Sequence, residues 1–215
     1  MKQNKNNANY KDLDKQTKED LKKSLLKEQG YICCYCMKPI SQDKMRIEHW
    51  TPQSDPLLVQ NTQLTLEYSN LLAACQGGEG GFKAQYHCDK SKENDLITIH
   101  PQDRINLPFQ QGKSSGISCE KLVRFNLGNG KISSDNKVIN QELNEILCLN
   151  NQNLKEARII VLKEFQELLN KKYPGEWKKD TLEKWLEVYS SKSNGKYKPY
   201  CRVIISFLEE RLKKT

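Results

Sequence analysis

Leu21, Leu25 and Leu26 recur at helical spacing behind the polar Thr17-Lys18-Glu19-Asp20, and Gly30 supplies a stop. The pattern predicts a short helix leading into the first cysteines. Met45 to Trp50 reads as a strand that ends in the polar pair Glu48-His49, after which Pro52 and Pro56 break regular structure. Tyr68 to Cys75 is a second apolar run, and Gln76 to Gly81 is glycine-rich enough to form a flexible excursion. From Asp89 to Leu96 a helix is expected, with Asp89 near its start.

Past His100-Pro101 the pattern changes. Cys119 to Asn126, a glycine-assisted Leu127-Gly128-Asn129-Gly130 turn and Lys131-Ile132 predict a hairpin. Apolar stripes then mark helices at Leu143 to Leu149, at Leu154 to Leu169 before Pro174-Gly175, at Leu182 to Tyr189, and at Tyr200 to Leu212. Arg158 interrupts the longest stripe and is expected to pair with a buried acid or helix-end carbonyl rather than with nucleic acid. Met1 to about Lys15 carries almost no large apolar side chain, so it reads as a mobile arm.

Composition narrows the class. The 215 residues carry a net charge of +8, a positive field that favours polyanions such as DNA, RNA or acidic protein surfaces. No apolar run follows the Lys- and Asn-rich start, so neither signal peptide nor membrane helix is expected and the cytoplasm is the expected location. In that reducing setting clustered cysteines suit zinc better than disulfides, whereas Cys119, Cys148 and Cys201 read as small buried residues.

The chemistry-bearing residues fall between positions 30 and 95. Cys33-Cys34-Tyr35-Cys36 holds a Cys-x-x-Cys pair, and Cys75 and Cys88 follow, a donor set suited to tetrahedral zinc. His49 is a candidate base for activating water, because imidazole titrates near neutrality. Glu48 and Asp89 are hard oxygen donors suited to Mg²⁺. Asn70 is placed either to fix the imidazole tautomer or to brace the loop between.

In that order, Cys33-x-x-Cys36, Glu48-His49, Asn70-Leu71, Cys75 and Cys88-Asp89-Lys90-Ser91-Lys92 resemble the zinc-stabilised HNH endonucleases of the ββα-metal type. The resemblance implies an α+β protein with a zinc-bound ββα-metal core, a hairpin and a helical C-terminal region. It implies His49 as general base, Asn70 as the residue that orients it, and Glu48 and Asp89 as ligands of a catalytic Mg²⁺ or Mn²⁺. It further implies structural Zn²⁺ on Cys33, Cys36, Cys75 and Cys88, and Lys92, with Lys90 beside it, as phosphate-facing cations. Two alternatives stay open here: Cys34 in place of Cys33, and His87 in place of Asp89 as metal ligand or as a zinc ligand.

Longer phrases, among them Arg46-Ile47-Glu48-His49-Trp50, Leu147-Cys148-Leu149-Asn150 and Tyr200-Cys201-Arg202-Val203-Ile204-Ile205, are similar to the HNH proteins of retron and Septu anti-phage systems. That likeness implies a nuclease working with an ABC-type ATPase subunit and, in a retron setting, a reverse transcriptase complex. The expected layout is a basic arm at 1–18, a nuclease domain at 19–110 and a hairpin-plus-helical region at 111–215 that docks partners. A tRNA-cleaving ribonuclease with the same site and a non-catalytic zinc-supported binding module are the alternatives.

Overall fold

A computed structural model describes residues 8–102 and 119–214. The first seven residues of the expected arm and the expected 110/111 boundary lie outside them. Eight α-helices and four strands, joined by 3-10 and π turns, organise the described residues: α1 (Lys15–Gln29), β1 (Met45–His49), α2 (Pro56–Gln60), β2 (Leu71–Cys75), α3 (Asp89–Lys92), α4 (Cys119–Leu122), β3 (Arg124–Phe125), β4 (Ile132–Ser133), α5 (Lys137–Gln141), α6 (Gln152–Lys172), α7 (Lys179–Ser190) and α8 (Cys201–Leu212). This is a mixed arrangement of helices with two small sheets.

Asp14, rather than the Thr17 segment, caps α1, and its carboxylate accepts from the Thr17 amide. Gly30 ends the helix in the left-handed region at φ 65°, returning its amide to the Leu26 and Lys27 carbonyls. A Cβ there would meet the Tyr197 ring at 2.5 Å, so close packing as well as backbone geometry favours glycine.

β1 and β2 pair antiparallel, from Met45 opposite Cys75 to His49 opposite Leu71. A two-stranded ribbon is marginal alone. Gln29 extends it from α1: its side chain accepts from the Ala73 amide at 2.7 Å and donates to the Ala73 carbonyl at 2.8 Å, acting as a third strand one residue long.

Three expectations are corrected. Residues 8–14 were read with the mobile arm, yet Asn9 caps a 3-10 turn over Tyr10–Asp12 and the Tyr10 amide donates to Thr65 Oγ1 at 2.9 Å. Tyr10 and the half-buried Leu13 supply the large apolar surface of the segment. The helix expected to reach Leu96 stops at Lys92, because Glu93 takes φ 48° and turns the chain away. The first hairpin strand is only Arg124–Phe125, since Cys119–Leu122 forms the helical turn α4 instead, and Asn126 Oδ1 stitches the turn by accepting from the Gly128 and Asn129 amides. The C-terminal stripes pack against one another. Leu162, Phe165 and Leu169 of α6 bury against Leu182 of α7 and Val203, Ile204, Phe207 and Leu208 of α8, leaving Ile160 and Leu168 exposed.

A second apolar cluster links α1, both strands and the Ile132 to Leu154 segment. The halves are tied by backbone bonds from Tyr197 to the Gly30 carbonyl, from Tyr200 to the Met37 carbonyl and from Cys88 to the Leu147 carbonyl. No described helix is long and apolar enough to cross a membrane.

Arg158 is buried in α6 and donates to the Gly130 carbonyl at 2.9 Å and the Leu149 carbonyl at 2.8 Å, fastening the hairpin turn to the helix. Arg158→Met should therefore cost about 2–4 kcal/mol, since two buried acceptors lose a charged donor. A urea unfolding midpoint within error of wild type would contradict this account.

Candidate functional site

The Cys33 to Cys36 turn forms a knuckle. The Cys33 amide donates to the Lys38 carbonyl and the Met37 amide to the Cys33 carbonyl, with Met37 at φ 61° closing the bend. Cys75 arrives as the last residue of β2, and Cys88 immediately precedes α3. Their four sulfurs lie within 4.8 Å of one another, all buried.

Opposite pairs, Cys33 with Cys88 and Cys36 with Cys75, stand 3.9 and 3.8 Å apart. A tetrahedral zinc with bonds near 2.3 Å places its sulfurs ~3.8 Å from each other. The donor set fits zinc in chemistry and in spacing. The Cys75 amide also points at the Cys33 sulfur at 3.3 Å, which favours a thiolate there. Cys34 is outside the cluster, with its amide on the Ala73 carbonyl, so Cys33 is the member of the pair that joins it.

His87 stands beside this cage and not in the cleft. Its Nδ1 donates to the Gln85 carbonyl at 2.9 Å. Against the downward pull of burial, the Cys75 sulfur and that carbonyl raise its pKa. It neighbours the sulfurs without joining the four-ligand set.

The cleft lies at the far end of β1. It encloses about 370 Å³ between Arg46, Glu48, His49, Pro52, Gln53, Asp89 and Glu93. His49 sits at its wall, buried, with Nε2 3.0 Å from the Thr65 carbonyl. A carbonyl only accepts, so Nε2 carries the proton and Nδ1 keeps its lone pair, facing the Gln53 amide at 3.3 Å. The Tyr10 ring covers the imidazole edge-on, centroids 4.7 Å apart. Burial, reinforced by the Lys92 charge, lowers the ring to about 4, leaving it neutral near pH 7.

Asn70 does not touch the imidazole. Wholly buried, it accepts from the Thr51 amide at 2.7 Å and donates to the Thr51 carbonyl at 3.0 Å, while its own carbonyl takes the Trp50 amide. It braces the two residues after His49, and the Thr65 carbonyl sets the tautomer. No side chain marks that carbonyl in the sequence.

Glu48 and Asp89 do meet. Burial and the neighbouring Asp89 carboxyl raise Glu48 to about 8, opposed by Lys92. Two hard carboxyls crowded in this way suit a divalent cation, which would take the place of the proton they otherwise share. Tyr35 Oη donates to Glu48 Oε1 at 2.8 Å and orients it.

Lys92 is the largest departure from expectation. It is fully buried, 2.9 Å from Glu48 Oε1 and 3.3 Å from the His49 carbonyl, and faces no solvent phosphate. A buried ammonium needs a paired anion, and the single turn of α3 delivers it there. Lys90, partly exposed, lies over the Tyr86 ring at 5.1 Å. Sequence reasoning missed Arg46, which lines the cleft two residues before Glu48. Its sign, a cation on the face of β1 shared with Glu48, was present but not singled out.

Comparison with known proteins finds 26% identity over 163 residues to the Escherichia coli protein named "Retron Ec83 putative HNH endonuclease", covering 64% of this chain and 62% of that protein. The chain thus spans about three-fifths of the length of the curated relative it matches. No protein-family model matches the chain, and no solved structure matches it. The similarity supports an HNH-type nuclease family.

About one tightly held zinc per chain is expected, and structural sites of this type contribute roughly 10 kcal/mol or more to folding. Cys88→Ser or strong chelation should unfold the region around β1, β2 and α3. Elemental analysis of a fully folded, metal-free protein would contradict this.

Proposed function

We propose that this chain is a metal-dependent HNH endonuclease that hydrolyses phosphodiester bonds of nucleic acid, with His49 as general base. The observation that carries it is the imidazole tautomer: Nε2 is committed to the Thr65 carbonyl, so the lone pair is on Nδ1, at the cleft wall with Glu48 and Asp89, where a long 3.3 Å contact from the Gln53 amide is its described partner and attacking water would take that place. A base must be unprotonated before it takes a proton from water, and burial keeps this ring neutral. The order β1, β2, α3 supports a ββα-metal core, in which Asp89 opens the helix.

Glu48 and Asp89 would hold Mg²⁺ or Mn²⁺. Such a cation supplies charge stabilisation at the phosphoryl and leaving oxygens. The chain's own contributions are separate: Tyr35 and Lys92 fix one oxygen of Glu48, Asn70 holds the Trp50-Thr51 backbone, and Tyr10 and Gln53 close around the ring. His49 Nδ1 receives the proton of the attacking water.

The phrases resembling Septu and retron proteins extend the proposal to a cytoplasmic bacterial anti-phage role, with an ABC-type ATPase subunit restraining cleavage and a retron reverse transcriptase complex as a further partner; the relative's name supports only the HNH endonuclease part of it and a retron setting. Packing within α6, α7 and α8 does not itself call for that subunit, so the partnership rests on the resemblance.

His49→Ala should lower cleavage by ~10²–10⁴-fold, the usual loss for a general base, while zinc content and circular dichroism stay unchanged. The assay is Mg²⁺- or Mn²⁺-dependent cleavage of DNA and tRNA, with and without the ATPase subunit. Near-wild-type cleavage by the variant would sink the assignment.

A further inference from the structure

Among the described residues lining the cleft, Arg46 is the one cation, set among Glu48, His49, Gln53, Asp89 and Glu93. Lys92 is sealed beneath them against Glu48. Because residues two apart on a strand share a face, Arg46 presents its guanidinium on the side where Glu48 lies. It is about one-third exposed, so an incoming anion can reach it.

That guanidinium is already engaged. Glu79, on the glycine-rich loop between Cys75 and Cys88, forms a direct ion pair with it, and Asp89 stands 3.8 Å away. The base of the loop is fixed: the His87 amide donates to the Gly77 carbonyl, and Gly77 holds φ 58° where a Cβ would meet the His87 carbonyl at 2.2 Å. At the tip the backbone is also held, by the Glu79 amide on the Gln76 carbonyl and the Gly81 amide on the Gly78 carbonyl, but a Cβ on Gly80 meets nothing within 4 Å, so there is open space beside Glu79 into which its side chain can turn away.

An arginine fork matches carboxylate and phosphate alike, with two parallel donors for two oxygens. The geometry points to Arg46 as the residue that grips a backbone phosphate entering the cleft, and to Glu79 as an internal phosphate mimic that occupies the fork until nucleic acid displaces it. This role for Arg46 rests on the nuclease reading and gives it a substrate ligand and a built-in restraint. The restraint is weak enough to yield, because both partners are partly exposed and such pairs contribute little net stability.

The two ends of the ion pair then answer oppositely to substitution. Losing Arg46 removes the grip, whereas losing Glu79 frees it. A pair that only pinned the loop would lose the same bond either way, and both variants would move in one direction.

The test uses the full-length protein as wild type, Arg46→Gln, Arg46→Lys, Glu79→Gln and Glu93→Gln. Fluorescence anisotropy measures binding of a labelled single-stranded DNA, its duplex and a tRNA without added divalent cation, across a salt series. Cleavage of the same probes is followed with Mg²⁺ or Mn²⁺. Arg46→Gln should weaken binding about tenfold or more and flatten the salt slope by about one, with Arg46→Lys intermediate. Glu79→Gln should tighten binding about two- to fivefold and lower KM without lowering kcat. Should Arg46→Gln fail to fold, Glu79→Gln is read against Glu93→Gln, which removes the same charge from the cleft without touching the Arg46 pair: a larger gain in Glu79→Gln supports the role, and equal gains overturn it as general charge. The role of Arg46 is overturned if Arg46→Gln and Glu79→Gln shift binding in the same direction, or if Glu79→Gln leaves it unmoved. A wild type that shows the opposed shifts but cuts none of the probes refutes the nuclease reading and leaves the grip on polyanions standing. A wild type that cuts, with variants that bind and cut as it does, refutes the Arg46 role and leaves the nuclease reading intact.

Discussion

Four sulfurs drawn into one buried cluster are the constraint on which the candidate site depends. Cys75 closes β2, whose register places His49 opposite Leu71 at the other end of the ribbon, and Cys88 is the residue before Asp89. Cys33 and Cys36 belong to the knuckle that receives α1 and the Tyr200 backbone. One tetrahedron of donors thus joins the strand pair, the single-turn helix and the C-terminal half. Loaded with zinc, the cluster would be a strong cross-link for a ribbon of five-residue strands, whose edge Gln29 repairs over only one stretch.

Around the cleft the problem is burial of charge. Glu48 and Lys92 are both shut away from water, which is tolerable only because they face each other and because Tyr35 and the His49 carbonyl supply further partners. The arrangement also separates tasks. Lys92 satisfies one oxygen of Glu48 from within, Asp89 approaches from the cleft, and the neutral His49 ring stands apart with its proton on the atom that faces Thr65. The exposed charges, Arg46 and Glu79, lie above this buried layer, where exchange of partners costs little.

Much of this was legible from residue order, and the reasons are specific. Cysteine spacing is a strong signal because few other roles need four thiols in this pattern, and the structure gathers the four that were expected. The stop at Gly30 was readable because local geometry demands it. Lys92 was not, since nothing in Lys90-Ser91-Lys92 says which lysine turns inward; that is decided by one turn of helix and by a carboxylate on another element. For Asn70 two readings stood open, orienting the imidazole or bracing the loop, and its contacts with the Thr51 backbone agree with the second. The Thr65 carbonyl left no trace at all, because every residue has one. Tyr10 was missed because a single aromatic in a polar segment carries no periodicity.

Both ends of α3 are held in backbone states that side-chain-bearing residues seldom occupy: Cys88 at φ 56°, ψ −138° and Glu93 at φ 48°, ψ −110°. Each such state costs on the order of 1–3 kcal/mol, met by the sulfur cluster on one side and the Lys92 pairing on the other. Robustness and aim are therefore opposed at this turn. Glycine at position 93 would relax the backbone and add thermal stability, yet it would also let Asp89 and Lys92 wander from the positions the strain imposes. An engineer seeking a hardier protein would find here a gain that loosens the geometry of the cleft.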